Sequence, residues 1–74
     1  MGVKLNHTQR EILSLLLVDK ELTAGEMAIS IDISRRNVEA NIRKLKEYGI
    51  LLRHGSPKKG YWEILDKSNI KEKL

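Results

Sequence analysis

Arg36, Asn37, Ala40, Arg43 and Lys44 recur at helical spacing in one short stretch, a set of side chains suited to reading base-pair edges. A guanidinium can bond the O6 and N7 of guanine in a bidentate pair, and an asparagine amide can do the same for adenine. Ala40 contributes by its smallness, because a short side chain in the middle of such a face lets a helix sink into the major groove. Lys58 and Lys59 stand in the loop Gly55–Gly60, where they would neutralise phosphates and release counterions whatever the base sequence. Pro57 stiffens that loop and lowers the entropy lost when it docks. From Arg35 to Lys59 there are eight basic residues (Arg35, Arg36, Arg43, Lys44, Lys46, Arg53, Lys58, Lys59) against two acidic ones, Glu39 and Glu47. That stretch carries +6 in a chain whose total is +4, so the remainder is −2. An uneven distribution of this kind marks a face for a polyanion. The plainer account is a solvated helix face with Glu39 and Arg43 as an i,i+4 ion pair.

The elements that would position these residues follow from periodicity and caps. A first helix is expected from about Thr8 to Val18, opened by a capping box of either Asn6 with Gln9 or Thr8 with Glu11. Ile12, Leu13 and Leu16 form its core stripe, and Leu15 and Leu17 widen it on either flank. Thr23 and Glu26 match the capping pattern of a second, short helix that buries Ala24, Met27, Ala28 and Ile31. Glu21–Leu22, just before it, is a candidate for a strand contact of one or two residues. Ser34 caps a third helix running to about Tyr48, with Val38, Ile42 and Leu45 inward and Gly49 closing it in the left-handed region. On the side away from that stripe lie Arg36, Ala40, Arg43 and Glu47, flanked by Asn37 and Lys44. Glu47 would repel phosphate, so the N-terminal half of the helix is the half expected to insert.

Ile50–His54 and Tyr61–Leu65 read as two strands joined by the Gly55–Gly60 loop. Trp62 and Ile64 alternate with Tyr61 and Glu63, so one face packs and the other meets solvent. Trp62 is read as core, since the chain has no phenylalanine and two tyrosines. Arg53 is placed on the nucleic-acid side by strand alternation, and Tyr61 is a candidate phosphate contact. The hydroxyls of Ser34 and, more weakly, Thr23 cap helices whose free amides can hold a phosphate. The fold class expected is α+β, a winged helix-turn-helix of three helices followed by a two-stranded β-hairpin wing. It occupies residues 1–65, with 66–74 as a polar tail outside the core.

The stretch EMAISIDISRRNVEANIRKLKEYGIL resembles the helix-turn-helix of winged-helix transcription regulators. Those proteins usually carry glycine in the turn; this chain has Asp32, which tolerates the left-handed region better than most residues. The wing RHGSPKKGYWEIL is similar to the hairpin of helicase-like, RecG-related regulators, in which a winged helix follows an AlbA-type ATP-binding domain. The resemblance covers about Leu5 to Leu65 and implies double-stranded DNA binding, as a transcriptional regulator or the DNA-reading module of one. Winged helices that read left-handed DNA carry an exposed tyrosine on the third helix, where Arg43 stands here. The alternative is a protein–protein contact module using helix 1, and a homodimer or partner domain through Leu15 and Leu17 is compatible with DNA reading.

Other classes are left without residues to support them. Only roughly 60% of the unfolded surface can be buried in a domain of this size, which leaves little room for a catalytic cavity. No nucleotide-binding loop, catalytic triad or paired carboxylates can be read, so no enzyme and no cofactor are expected. There is no cysteine, and His7 and His54 lie far apart, so no metal site is expected. No apolar run approaches the roughly 20 residues of a membrane span, and the start is unlike a signal peptide. A cytoplasmic protein is the expectation.

Overall fold

The computed structural model describes residues 4–56 and 59–65; Pro57, Lys58 and the polar tail from 66 onward lie outside the described residues. Three helices, α1 (His7–Val18), α2 (Ala24–Ile31) and α3 (Arg35–Glu47), precede two antiparallel strands, β1 (Leu51–His54) and β2 (Tyr61–Ile64). The architecture is a winged helix-turn-helix.

Local chemistry sets each boundary. The Asn6 side chain accepts from the Gln9 N–H at 2.7 Å, while the Gln9 side chain accepts from the Asn6 N–H at 3.0 Å. Of the two possible caps, Asn6 with Gln9 therefore opens α1. Thr23 and Glu26 make the same reciprocal pair at the start of α2. Ser34 accepts from the Asn37 N–H at 3.1 Å and starts α3. At the far end, the Ile50 N–H donates to Leu45 O and the Gly49 N–H to Lys46 O, both at 3.0 Å. This double closure needs the left-handed residue that Gly49 supplies at φ 73°. Ile50 thus ends the helix instead of opening the strand, although its carbonyl still accepts from the Leu65 N–H.

Thirteen apolar residues from all five elements and their flanks make the core. Ile12, Leu13 and Leu16 of α1 meet Met27 and Ala28 of α2 and Val38, Ile42 and Leu45 of α3, with Leu51, Trp62 and Ile64 closing one side. Leu15, on one flank of the α1 stripe, packs partly against this core. Leu17 is 49% exposed and Val18 88%. No strand forms at Glu21–Leu22. Instead the carbonyl of Lys20 accepts from the Trp62 N–H at 2.8 Å, and that of Leu22 accepts from the indole Nε1–H at 2.9 Å. One tryptophan thereby ties the α1–α2 loop to the hairpin.

The turn between α2 and α3 holds Asp32 at φ 66°, ψ 48°, with its N–H on the Ala28 carbonyl. A short polar side chain tolerates this region, whereas a β-branched one clashes with its own backbone. Asp32→Val should cost about 1–2 kcal/mol, while Asp32→Gly should keep or raise stability. Thermal melts of the two variants check this; equal melting temperatures would contradict the strain argument.

Candidate nucleic-acid interface

Val38, Ile42 and Leu45 bury one side of α3, and this orients the remainder outward. Arg36, Ala40 and Arg43 are exposed together on the opposite side. Among the described residues, Arg36 and Arg43 have no hydrogen-bond or ion-pair partner. Glu39 pairs with Arg35, Nε to Oε2 at 3.2 Å, and not with Arg43 as the plainer account of this face would have it. Helical side chains lean toward the N-terminus, so the Glu39 carboxylate reaches back one turn rather than forward. Lys44, on the flank, sits 3.9 Å from Glu47.

Between α3, the start of α2 and the hairpin runs an open groove of about 390 Å³. Ile42 and Trp62 supply apolar lining, and Thr23 and Ala24 contribute from α2. Arg35, Arg43, Lys46 and Arg53 bring positive charge to it, with Glu39 as the sole carboxylate among its lining residues. Arg53 reaches the groove because its strand partner is Trp62, so the two share the inward face of the hairpin. Its guanidinium lies 4.8 Å from the Trp62 ring centroid and donates from Nη2 to the Ser56 carbonyl at 2.9 Å. Lys46 Nζ covers the same ring at 5.4 Å. Two cations thus lie close to the indole ring, a proximity favoured by the negative face of the ring.

The structure does not bring every expected residue to this side. Tyr61 is paired across the hairpin with His54, on the outer face, where the two rings stack at 4.8 Å. Lys20 Nζ lies 5.1 Å from the Tyr61 ring, and His54 Nε2 is 2.6 Å from Glu63 Oε1. Strand alternation forces this result once Trp62 points inward. The hydroxyls of Thr23 and Ser34 are engaged in their caps. The Lys59 N–H donates to Ser56 Oγ at 2.9 Å within the loop. Lys58 lies outside the described residues.

Two features escaped sequence reasoning. Lys46 joins the groove, and its signal was available: it shares a flank of α3 with Arg35 and Glu39. Asn41 links α3 to α1 by accepting from Asn6 Nδ2 at 3.2 Å and donating to Asn37 at 2.9 Å. Nothing local marks that pair, because the partners are 35 residues apart.

Helices packed in this order, with a basic third helix left open beside a β-hairpin, define the winged helix-turn-helix class. The family described as "Helix-turn-helix domain" matches residues 5–54, and the chain belongs to it. Two solved structures of ZitR from Lactococcus lactis are similar across 99% of this chain. One, of a mutant, has a TM-score of 0.79 at 27% identity and is covered over 53% of its own length. The other, described as a zinc-responsive MarR family member, has a TM-score of 0.78 at 26% identity and is covered over 54%. The chain therefore spans about half the length of these solved chains. No curated protein matches it. Among the described residues, no helix is long and apolar enough to cross a membrane.

Proposed function

We propose that this domain binds double-stranded DNA, with α3 in the major groove and the hairpin as a wing, in a transcriptional regulator. The observation that carries this is the pair Arg36 and Arg43, exposed on the outer side of α3 around a small Ala40 and without partners among the described residues. Neither guanidinium has to give up an internal bond to meet guanine or phosphate. Arg35, Lys44, Lys59 and the groove cations Lys46 and Arg53 extend the positive field, while Thr23 and Ser34 lie at helix starts where amides favour an anion. The Lys44–Glu47 pair tempers the C-terminal half of α3, so the N-terminal half enters the groove.

Likeness to ZitR supports a regulator, and the wing's similarity to helicase-like, AlbA-containing regulators supports a DNA-reading module of a longer one. Zinc responsiveness is a property of ZitR; among the described residues here, no three His, Cys, Asp or Glu side chains sit together as a metal group. Such a regulator would work in the cytoplasm. A second reading, a contact with another copy or a partner domain through α1, is favoured by the exposure of Leu17 and Val18 at its end. It is compatible with DNA on α3.

The test is a titration of random and selected duplexes of about two helical turns at two salt concentrations, followed by amide chemical shifts. Shifts on Ser34–Lys44 and on the wing, weakening with salt, are expected; shifts confined to Ile12–Val18 would sink the DNA reading. Arg36→Ala should weaken the preferred duplex by about 1–3 kcal/mol and relax base preference. Replacing Lys58 and Lys59 together should weaken all duplexes alike and flatten the salt slope by about 2.

A further inference from the structure

Arg36 and Arg43 stand seven residues apart on α3, both exposed and without a partner among the described residues. Seven residues are two helical turns to within about 20°, so the two side chains leave the helix along one line. The rise between them is about 10 Å. Both lean toward the N-terminus, which keeps that separation and carries the Arg43 guanidinium back toward the half that inserts. Ala40 is the outward residue between them, and its side chain has no polar atom. The carboxylates nearby leave the line open. Glu39 is held by Arg35 on the groove flank, and Glu47, one turn beyond Arg43, lies beside Lys44 and ends the line.

We propose that α3 reads two G·C pairs with one or two base pairs between them, Arg36 bonding one guanine and Arg43 the other. This rests on the DNA reading proposed above and states what that helix would select. Base pairs follow one another at about 3.4 Å along the duplex, so a rise of about 10 Å matches roughly three steps. A helix entering the groove at an angle covers fewer, about two. Each guanidinium can bond guanine O6 and N7 together, an acceptor pair that no other base presents in the major groove. The intervening pairs face the Ala40 methyl, which offers a thymine methyl an apolar contact and no hydrogen bond. Cations for the phosphates stand to either side of the line. Lys44 is on one flank, and Lys46 and Arg53 are in the groove on the other. Two phosphate strands border the major groove, so the central line is the one that meets base edges.

Selection from random duplexes, carried out on wild type and three variants, tests this. The wild-type pool should contain two G·C pairs at the stated spacing. Arg36→Ala and Arg43→Ala should each lose the preference for one of them, by on the order of tenfold to a hundredfold, and keep the other. Arg43→Gln should replace guanine by adenine at that position alone, because a glutamine amide matches adenine N6 and N7. Exposed and unpartnered side chains can be changed with the fold intact, and circular dichroism checks it.

Salt dependence separates a base contact from a phosphate contact. Each alanine variant should weaken the selected duplex far more than a random one. A variant that weakens both alike and flattens the salt slope by about 1 would place that arginine on a phosphate and overturn the proposal. A wild-type pool without the two guanines, or the loss of both in either alanine variant, also overturns it. Those results leave DNA binding itself standing. Failure of wild type to bind any duplex would instead overturn the DNA reading, and this inference with it.

Discussion

Trp62→Ala should lose about 3–5 kcal/mol of stability, the largest effect expected of any single substitution in this domain. The ring is 9% exposed and closes the core beside Ile64 and Leu51. Further interactions besides apolar burial depend on it: the Nε1–H bond to the Leu22 carbonyl and the two cations on its faces. Deleting the ring leaves a cavity, removes the partner of a loop carbonyl, and takes from the Lys46 and Arg53 cations the aromatic ring both lie near. For a chain of this size, total stability is roughly 0.05–0.15 kcal/mol per residue, so the loss consumes most of it. Urea titration followed by far-ultraviolet circular dichroism measures the change. Trp62→Phe should recover much of the burial but still miss the Leu22 bond, falling between the two. A loss below about 1 kcal/mol for the alanine variant would show the ring to be peripheral.

Gly60→Ala is the second substitution with a large expected effect, and its cause is space alone. A Cβ at this position would collide with the His54 carbonyl oxygen and lie 2.5 Å from Ser56 O and 2.9 Å from Arg53 Nε. The His54 and Ser56 oxygens are backbone, at the end of β1 and in the loop that closes the hairpin, so they cannot rotate aside. The strands must part at the His54–Tyr61 pair or the loop must rebuild, at a cost of about 3 kcal/mol. Gly49→Ala provides the contrast. Nothing lies within 4 Å of its Cβ position, and its φ of 73° alone resists a side chain, so about 1 kcal/mol is expected there. Thermal denaturation of both variants distinguishes crowding from backbone strain. A Gly60→Ala variant as stable as Gly49→Ala would mean that the loop yields easily.

What could be read in the sequence was local. The box at Thr23–Glu26, the Ser34 cap and the Gly49 closure each depend on residues within one turn, as do the two candidate boxes of α1 between which the structure chose Asn6–Gln9, and the turn at Asp32 follows from its tolerance of positive φ. The stripe Val38, Ile42, Leu45 and the alternation of Trp62 and Ile64 needed only a period. What could not be read depended on approach between distant segments. Leu15 and Leu17 both flank the stripe on a helical wheel, but the core comes round to meet only Leu15. Glu39 has possible partners one turn away in both directions, and only side-chain lean decides for Arg35. The placement of Arg53 beside Trp62 requires strand register, which the composition of the Gly55–Gly60 loop does not determine. Glu21–Leu22 reads as a short strand contact, but Lys20 and Leu22 lend only carbonyls to Trp62. In the site, the outward set on α3 could be named in advance. Lys46 shares a flank with Arg35 and Glu39 and could have been added from the period alone, whereas Asn41 could not be assigned a role until α1 was in place.

Trp62 also makes the domain optically self-reporting. It is the chain's one tryptophan, and its indole has both the Lys46 ammonium and the Arg53 guanidinium close to the ring in the groove beside α3. Emission from an indole responds to nearby charge and to water. Any polyanion that draws either cation off the ring changes both at once, so intrinsic fluorescence would register occupancy of the groove in an unlabelled, unmodified protein.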